Sequence, residues 1–305
     1  MSKFALVFPG QGSQAVGMGK DLYDNFPEIK ALYDSADKIL GMPISRLCFE
    51  GPDEELRLTA NTQPALFLTS IACLRLLEKK GIKADVTAGH SVGEYAALVA
   101  AGAVDFEHAL PLVRKRGEIM TEVGAAHEGT MAAIIGLDDD KVKEVCAKAS
   151  GEGVVEIANY NSPGQVVISG EVKAVEAAII LAKEAGARMV MPLKVSGGFH
   201  SSLMLPAVPK LSVELAKTPF RDAVIPVVAN ATADYVRTVE EIKSALEKQL
   251  AGSVYWTKSI SRMAEDGVDR FIEVGPGKVL SGLIKRTIGS VEIKNVGDIA
   301  SLEAL

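Results

Sequence analysis

Apolar residues run along this chain in two rhythms. Residues 4–8 are unbroken apolar and stop at Pro9-Gly10, the pattern of a strand buried on both faces of a parallel sheet. Residues 21–40, 62–80 and 105–123 instead repeat their apolar positions at spacings of three and four, which predicts helices. Between the second and third of these, a short apolar run reaches Gly89-His90-Ser91-Val92-Gly93 and passes into an alanine-rich helical segment, 95–101. Strand, Gly-x-Ser-x-Gly and helix in that order is the layout of a nucleophile elbow, in which the glycines permit a sharp reversal and the serine is held out at the apex.

The texture changes after residue 123. Residues 124–129 read as a linker, followed by a strand (131–137), a helix opened by Asp138-Asp139-Asp140 (138–150), a strand (154–158), a turn (159–164), a strand (165–169), a helix (172–185) and a strand (188–193). That β-α-β-β-α-β order is the ferredoxin-like split motif. It predicts a small domain, 124–194, inserted into a larger one formed by 1–123 and 195–305. The return segment 195–200 leads into a proline-interrupted helical run to 216. Strands are expected at 225–229 and 270–274, closed by Asn230 and by Gly275-Pro276-Gly277, and helices at 240–250 and 256–265. The expected class is α/β, a hydrolase-like parallel-sheet core with an inserted ferredoxin-like domain.

Composition narrows the chemistry. With 305 residues, 48% hydrophobic and 24% charged, the chain has ample core, and a formal charge of −6 offers no footprint for nucleic acid. Cys48, Cys73 and Cys146 are odd in number and widely spaced, which suggests neither a disulfide framework nor a zinc site and fits a reducing cytoplasm. No apolar run approaches the ~20 residues that span a bilayer, so no membrane partner is expected. The loop Gly10-Gln11-Gly12-Ser13-Gln14-Ala15 matches a permissive dinucleotide fingerprint. Such a fold needs a second strand where 21–40 reads as helix, so the loop is expected to offer its N–H groups to something else.

A nucleophilic Ser91 needs a base. Of the four histidines, His90 should point away from Ser91, His127 lies in the linker and His108 follows an acidic helix start. His200 stands at the return between the two domains, behind Gly197-Gly198, and is the candidate; a helix-capping or core histidine is the alternative reading. No acid is evident to orient it. Arg116, read by pattern alone, is a solvated helix arginine.

Seven segments in register then carry a family resemblance: Phe8-Pro9-Gly10-Gln11-Gly12-Ser13-Gln14, Thr62-Gln63-Pro64-Ala65, Gly89-His90-Ser91-Val92-Gly93-Glu94-Tyr95, Arg116-Gly117, Asn161-Ser162-Pro163-Gly164-Gln165, Phe199-His200-Ser201 and Glu273-Val274-Gly275-Pro276-Gly277. Over nearly its whole length the chain resembles the malonyl-CoA:acyl carrier protein transacylase family. The resemblance implies Ser91 as acyl-carrying nucleophile and His200 as base and acid, steered by the backbone carbonyl of Gln249 rather than by a carboxylate. It implies an oxyanion hole from the N–H groups of Gln11 and Val92. It further implies Arg116 as the clamp for a free carboxylate, with Gln63, Asn161 and Phe199 in the substrate site. Val92 and Phe199 match malonyl-selective members, whereas Gly197-Gly198 departs from the bulkier residues common there. Malonyl-CoA and acyl carrier protein are the implied partners, without metal or redox cofactor, for a cytoplasmic enzyme of fatty acid biosynthesis in which nothing requires more than a monomer. A polyketide-serving acyltransferase or a serine hydrolase are the alternatives. Lys258 and Lys285-Arg286 are candidates for a basic rim facing an acidic carrier.

Overall fold

A computed structural model describing residues 3–195 and 197–305 contains two sheets. Strands β1 (Lys3–Phe8) and β2 (Val86–Gly89) come first. They are followed by β3 (Gly129–Ile135), β4 (Val155–Ser162), β5 (Gln165–Glu171) and β6 (Met189–Pro192), then by β7 (Val227–Val228), β8 (Tyr235–Val236), β9 (Val268–Val274) and β10 (Glu292–Val296). The larger sheet has the order β10-β9-β1-β2-β7-β8, parallel except for the β7–β8 pair. β1 lies inside it, with Leu6 facing Thr87 on one side and Ile272 on the other. Leu6 and Phe8 join one hydrophobic cluster and Ala5 and Val7 the cluster on the opposite face. Burial on both faces is why this strand is unbroken apolar. The carboxyl ends of β1, β2, β7 and β9 share one edge, where open α/β sheets hold their ligands.

The smaller sheet, β4-β5-β3-β6, is antiparallel throughout. Ala132, Ile134, Val166 and Ile168 share a separate cluster with Val142, Val145, Val175 and Ala178 of the helices Asp139–Ala149 and Val172–Glu184. The alternate residues Met131, Ala133 and Val167 belong instead to the large cluster. Period-two alternation therefore splits this sheet between its own core and the main one. Tyr160 N–H and Val254 N–H, bonding Val254 C=O and Ala158 C=O at 2.9 and 2.8 Å, tie β4 to the approach of the helix Trp256–Glu265.

Several expected boundaries move. The helix Phe106–Ala126 runs through the first half of the expected linker. β4 extends through Ser162 with irregular register around Ala158 and Asn161, so 159–162 is strand and the turn shrinks to Pro163-Gly164. Residues 21–40 divide into helices Lys20–Asn25 and Pro27–Leu40 because Phe26, before a proline, is extended. The strand expected at 225–229 contracts to two residues. β10 and the helix Val279–Ile288 were not anticipated from the pattern. In the return segment 195–200, Ser196 lies outside the described residues, as do Met1 and Ser2 at the start of the larger expected domain. Among the described residues no helix is long and apolar enough to cross a membrane.

The return segment sits where backbones nearly touch. A Cβ on Gly129 would lie 2.5 Å from the Gly198 nitrogen, and one on Gly197 would lie 3.0 Å from Gly124 Cα. The unusual Gly197-Gly198 pair thus meets glycines on the helix end and on β3, leaving no room for a bulkier approach. Gly129→Ala is expected to lower stability by about 1–3 kcal/mol through overpacking against backbone. Gly151→Ala, whose Cβ would meet nothing within 4 Å, should stay within about 0.5 kcal/mol of the parent. Denaturant unfolding of the two variants checks the contrast.

Candidate active site

The elbow forms because two glycines let backbone cross backbone. A Cβ on Gly89 would lie 2.0 Å from the Gly93 carbonyl carbon, and one on Gly93 would lie 2.2 Å from the Phe8 oxygen at the end of β1. Between them Ser91 has φ 51°, the left-handed region that a side-chain-bearing residue enters at a cost of about 1–2 kcal/mol. His200 has φ 58° and is similarly strained. The Ser91 hydroxyl meets His200 Nε2 at 2.7 Å. On the other side of the ring, Nδ1 lies 2.9 Å from the Gln249 carbonyl oxygen, so Nδ1 carries the proton and Nε2 accepts from the serine. Gln249 is in the last turn of the helix Val239–Ala251, where carbonyls lack an intrahelical partner. The helix end supplies the acceptor, which is why no carboxylate was legible as an orienting group.

Arg116 overturns the pattern-based reading of a solvated arginine, because it is completely buried. Its Nη1 donates to Gln63 Oε1 at 2.7 Å, and its Nη2 donates to Gln249 Oε1 at 2.9 Å and to Ser91 Oγ at 3.2 Å. The guanidinium carbon stands 5.6 Å from the Tyr95 ring centroid. No carboxylate bonds it directly among the described residues. The nearest compensation runs through Gln249, whose Nε2 donates to Glu94 Oε2 at 2.8 Å and to Ser91 C=O at 3.0 Å. Burial pushes Glu94 up to about 7, against the pull of the Asn230 N–H, Gln249 and Arg116. His200 is pushed down to about 3, by burial first and then by the charge of Arg116.

A cavity of about 100 Å³ opens over these groups, lined by Gln11, Gln63, Ser91, Val92, Phe199 and His200 together with His90, Met120, Met131, Asn159, Leu193 and Val195. Gln11 and Val92, the expected oxyanion donors, flank Ser91 there, and among the described residues neither backbone N–H bonds a protein acceptor. The Ser91 N–H is taken by Asn230 Oδ1 at 2.6 Å. Asn161 is placed differently from the other expected substrate residues: its Oδ1 lies 2.8 Å from His90 Nε2, and Asn159, the first residue of the expected turn, lines the cavity instead. His90 sets its ring 5.6 Å from that of Trp256 and, bonded to Asn161, lines the cavity beside Ser91. Among the described residues no group of three or more His, Cys, Asp or Glu could hold a metal ion.

Sequence reasoning missed Glu94, Tyr95, Asn230 and the side chain of Gln249. The first two lay within the elbow motif, where a carboxylate and an aromatic on a small-residue helix were the available signal. Lys258 faces the Tyr255 ring at 4.9 Å, and Lys285 and Arg286 lie on the helix Val279–Ile288.

An elbow serine, a neutral histidine and a buried guanidinium meet at one oxygen, an arrangement chemically suited to acyl transfer beside an anion. Residues 5–303 match the acyl transferase domain family. A malonyl CoA-acyl carrier protein transacylase of Bacillus subtilis is 51% identical over 304 residues, covering 99% of this chain and 96% of the relative. An acyl carrier protein S-malonyltransferase structure from Vibrio cholerae superposes with a TM-score of 0.96 at 46% identity, covering 99% of both chains. A malonyl-transacylase solved in complex with its holo type II PKS acyl-carrier protein gives 0.95 at 44% identity, covering 99% of this chain and 98% of that one. The chain belongs to the family of malonyl CoA-acyl carrier protein transacylases.

The Gln249 side chain makes a further expectation testable. A role through the carbonyl alone would leave Gln249→Ala active. With its amide joining Arg116, Ser91 and Glu94, the variant is instead expected to lose roughly 1–3 kcal/mol of stability by orphaning buried partners. Its Ser91 should also react about tenfold more slowly with a fluorophosphonate, the equivalent of 1.4 kcal/mol. Melting curves and labelling rates measure the two effects.

Proposed function

We propose that this chain transfers the malonyl group from malonyl-CoA to the phosphopantetheine thiol of acyl carrier protein in fatty acid biosynthesis, through a malonyl ester on Ser91. The observation that carries the reading is the meeting of His200 Nε2 and the buried Arg116 guanidinium on one oxygen, Ser91 Oγ. A malonyl group differs from acetyl by one terminal carboxylate. Buried without a partner that charge is costly, whereas a guanidinium compensates it in fixed geometry.

In the first half-reaction His200 takes the Ser91 proton as Oγ attacks the thioester carbonyl. The tetrahedral oxyanion is held by the N–H groups of Gln11 and Val92, aided by the positive end of the helix Gly93–Ala100. The C–S bond breaks, the histidine returns the proton to the departing sulfur, and coenzyme A leaves. The carrier thiol then gives its proton to His200, attacks the ester, and regenerates Ser91 as the histidine reprotonates the serine oxygen. Gln249 C=O keeps the ring in the productive tautomer throughout. A thioester is already activated, so the reaction draws on no metal or redox cofactor, and its substrates fit a cytoplasmic setting. Gln63 would share the malonyl carboxylate with Arg116, Phe199 and Val92 would wall the acyl group, and Asn161 would act at one remove by holding His90. The separate hydrophobic cluster under the smaller sheet supports a domain division in which 124–194 is inserted between 1–123 and 195–305.

Incubation with radiolabelled malonyl-CoA tests the reading. Label should accumulate on Ser91 and persist until carrier protein is added; prompt release of free malonate would mean hydrolysis, and an unlabelled chain would exclude both. Transfer to fatty-acid and polyketide carriers side by side assigns the pathway. Arg116→Ala should depress malonyl transfer at least about 100-fold more than acetyl transfer, in line with the ~3–5 kcal/mol of an orphaned buried charge. Equal losses would remove Arg116 from selection.

The depressed His200 predicts the acid side of the pH profile. A histidine that stays neutral in the folded enzyme until about 3 keeps its capacity as base while pH falls through the ordinary histidine range. The acid limb of acylation kcat/KM due to His200 therefore lies well below 6.5. Its neutrality also means that folding stability present above the unfolded value of 6.5 is lost as pH falls from there toward 3. An activity limb near 7 that vanishes in Glu94→Gln would belong to Glu94; one near 6.5 that persists in that variant would contradict the His200 assignment.

A further inference from the structure

We propose that Asn230 is a positioning residue for Ser91, its carboxamide clamping the elbow so that the serine is held in the strained conformation from which its hydroxyl meets His200. The inference rests on the acyl-serine reading above.

β7 pairs with β2 only as far as Ala88–Val228. Two residues on, the side chain of Asn230 takes over the work of a neighbouring strand. Its Oδ1 accepts the Ser91 N–H at 2.6 Å and its Nδ2 donates to the Gly89 carbonyl at 2.6 Å. One planar amide thus joins an N–H and a C=O two residues apart, on either side of His90, and spans the point where the chain reverses. An Asn side chain is suited to this because it presents a donor and an acceptor on one rigid group.

The clamp is itself fixed. Asn230 is fully buried, its own N–H donates to Glu94 Oε2 at 2.9 Å, and its C=O accepts the Tyr255 N–H at 2.9 Å. The loop behind it closes through Ala233 N–H to Ala229 C=O at 2.8 Å and Ala229 N–H to Asp234 C=O at 3.0 Å, with Ala233 at φ 55°. Holding Ser91 at φ 51° therefore draws on β2, β7, the elbow helix and the start of the helix Trp256–Glu265 together. Because the Ser91 N–H is consumed, the donors left for an oxyanion are those of Val92 and Gln11. Among the described residues Asn230 makes no bond to Arg116 or Gln63, and its one link toward them is the long 3.5 Å contact in which Gln249 Nε2 donates to its Oδ1, so its loss should disturb the reacting oxygen far more than carboxylate recognition.

Single-turnover acylation by malonyl-CoA and labelling by a fluorophosphonate, which needs no carboxylate site, test this in Asn230→Ala alongside thermal melting. The maximal acylation rate is expected to fall on the order of 100-fold, as for a small misplacement of a reacting group, with fluorophosphonate labelling falling in parallel. Half-saturation by malonyl-CoA should stay within about threefold, since uniform binding is untouched. A folded variant that reacts with both reagents at the parent rate overturns the proposal.

If Asn230→Ala does not fold, Asn230→Asp decides. Its carboxylate can accept from Ser91 but opposes the Gly89 oxygen until protonated, so its labelling rate relative to the parent should rise as pH falls. The ionisable groups around this point are Glu94, His90, His200 and Arg116; Glu94 lies close enough to couple to the new carboxyl, so the ratio is read in the Glu94→Gln background as well. A pH-independent ratio overturns the proposal. Parent enzyme that reacts with fluorophosphonate yet takes no malonyl label would sink the acyl-serine reading alone, and the fluorophosphonate rates would still decide the role of Asn230.

Discussion

A guanidinium removed from water must be given acceptors, and the centre of this molecule is arranged around that demand. Arg116 has no exposed surface, and leaving such a charge unpaired would cost several kcal/mol. Two glutamine oxygens and the serine hydroxyl meet it, and the ring of Tyr95 lies alongside. None of these carries a full negative charge. The carboxyl of Glu94 lies one carboxamide away through Gln249, and burial, which lifts it to about 7, leaves it only partly ionised at neutral pH. The two Nη groups are thus met by acceptors while Nε has none among the described residues and the charge is only remotely balanced, which fits the proposed role of admitting a carboxylate and later releasing it. A directly paired arginine would have to give up one anion to bind another.

The same charge acts on the histidine. Arg116 and burial together hold His200 neutral, and the serine receives hydrogen-bonding attention from both. On the proposed roles, recognition and reactivity are therefore not separate regions joined by a linker of structure. Gln249 belongs to both, its carbonyl orienting the histidine and its amide holding the arginine. In electrostatic terms the site is a single low-dielectric cluster, in which each polar group raises the stakes for its neighbours.

What was legible in the sequence was what depends on neighbours along the chain. Residues 4–8 announced a doubly buried strand, and Gly89 to Gly93 announced a turn, because both are local consequences of apolar continuity and missing side chains. The ferredoxin-like element order emerged from short apolar runs, an acidic helix start and turn residues. β10, with Glu292 and Lys294 among its five residues, lacked that alternation because it is an edge strand with little burial. Asn159 to Ser162 read as a turn because its polar residues favour turns, while pairing with β5 makes it strand. In the site, Ser91 and His200 were found by residue type and placement. Asn230 and Glu94 were not, since their meeting across 136 positions follows from sheet order, which no local pattern encodes. Arg116 was misread by pattern for the same reason: its burial depends on where the helices Thr59–Lys79 and Phe106–Ala126 are placed.

The position of β1 bears on how such a chain is made. Leu6 is among the first residues of the sheet to be synthesised, and one of its two strand neighbours, centred on Ile272, is among the last. Throughout translation of the intervening residues that edge of β1 has no native partner, and closure of so long a loop makes final assembly slow. The ribosome therefore carries a strand with an open, apolar edge, the kind of surface that chaperones shield and that otherwise seeks a second chain. The last native partner of β1 is thus supplied only when residues 268–274 have been made.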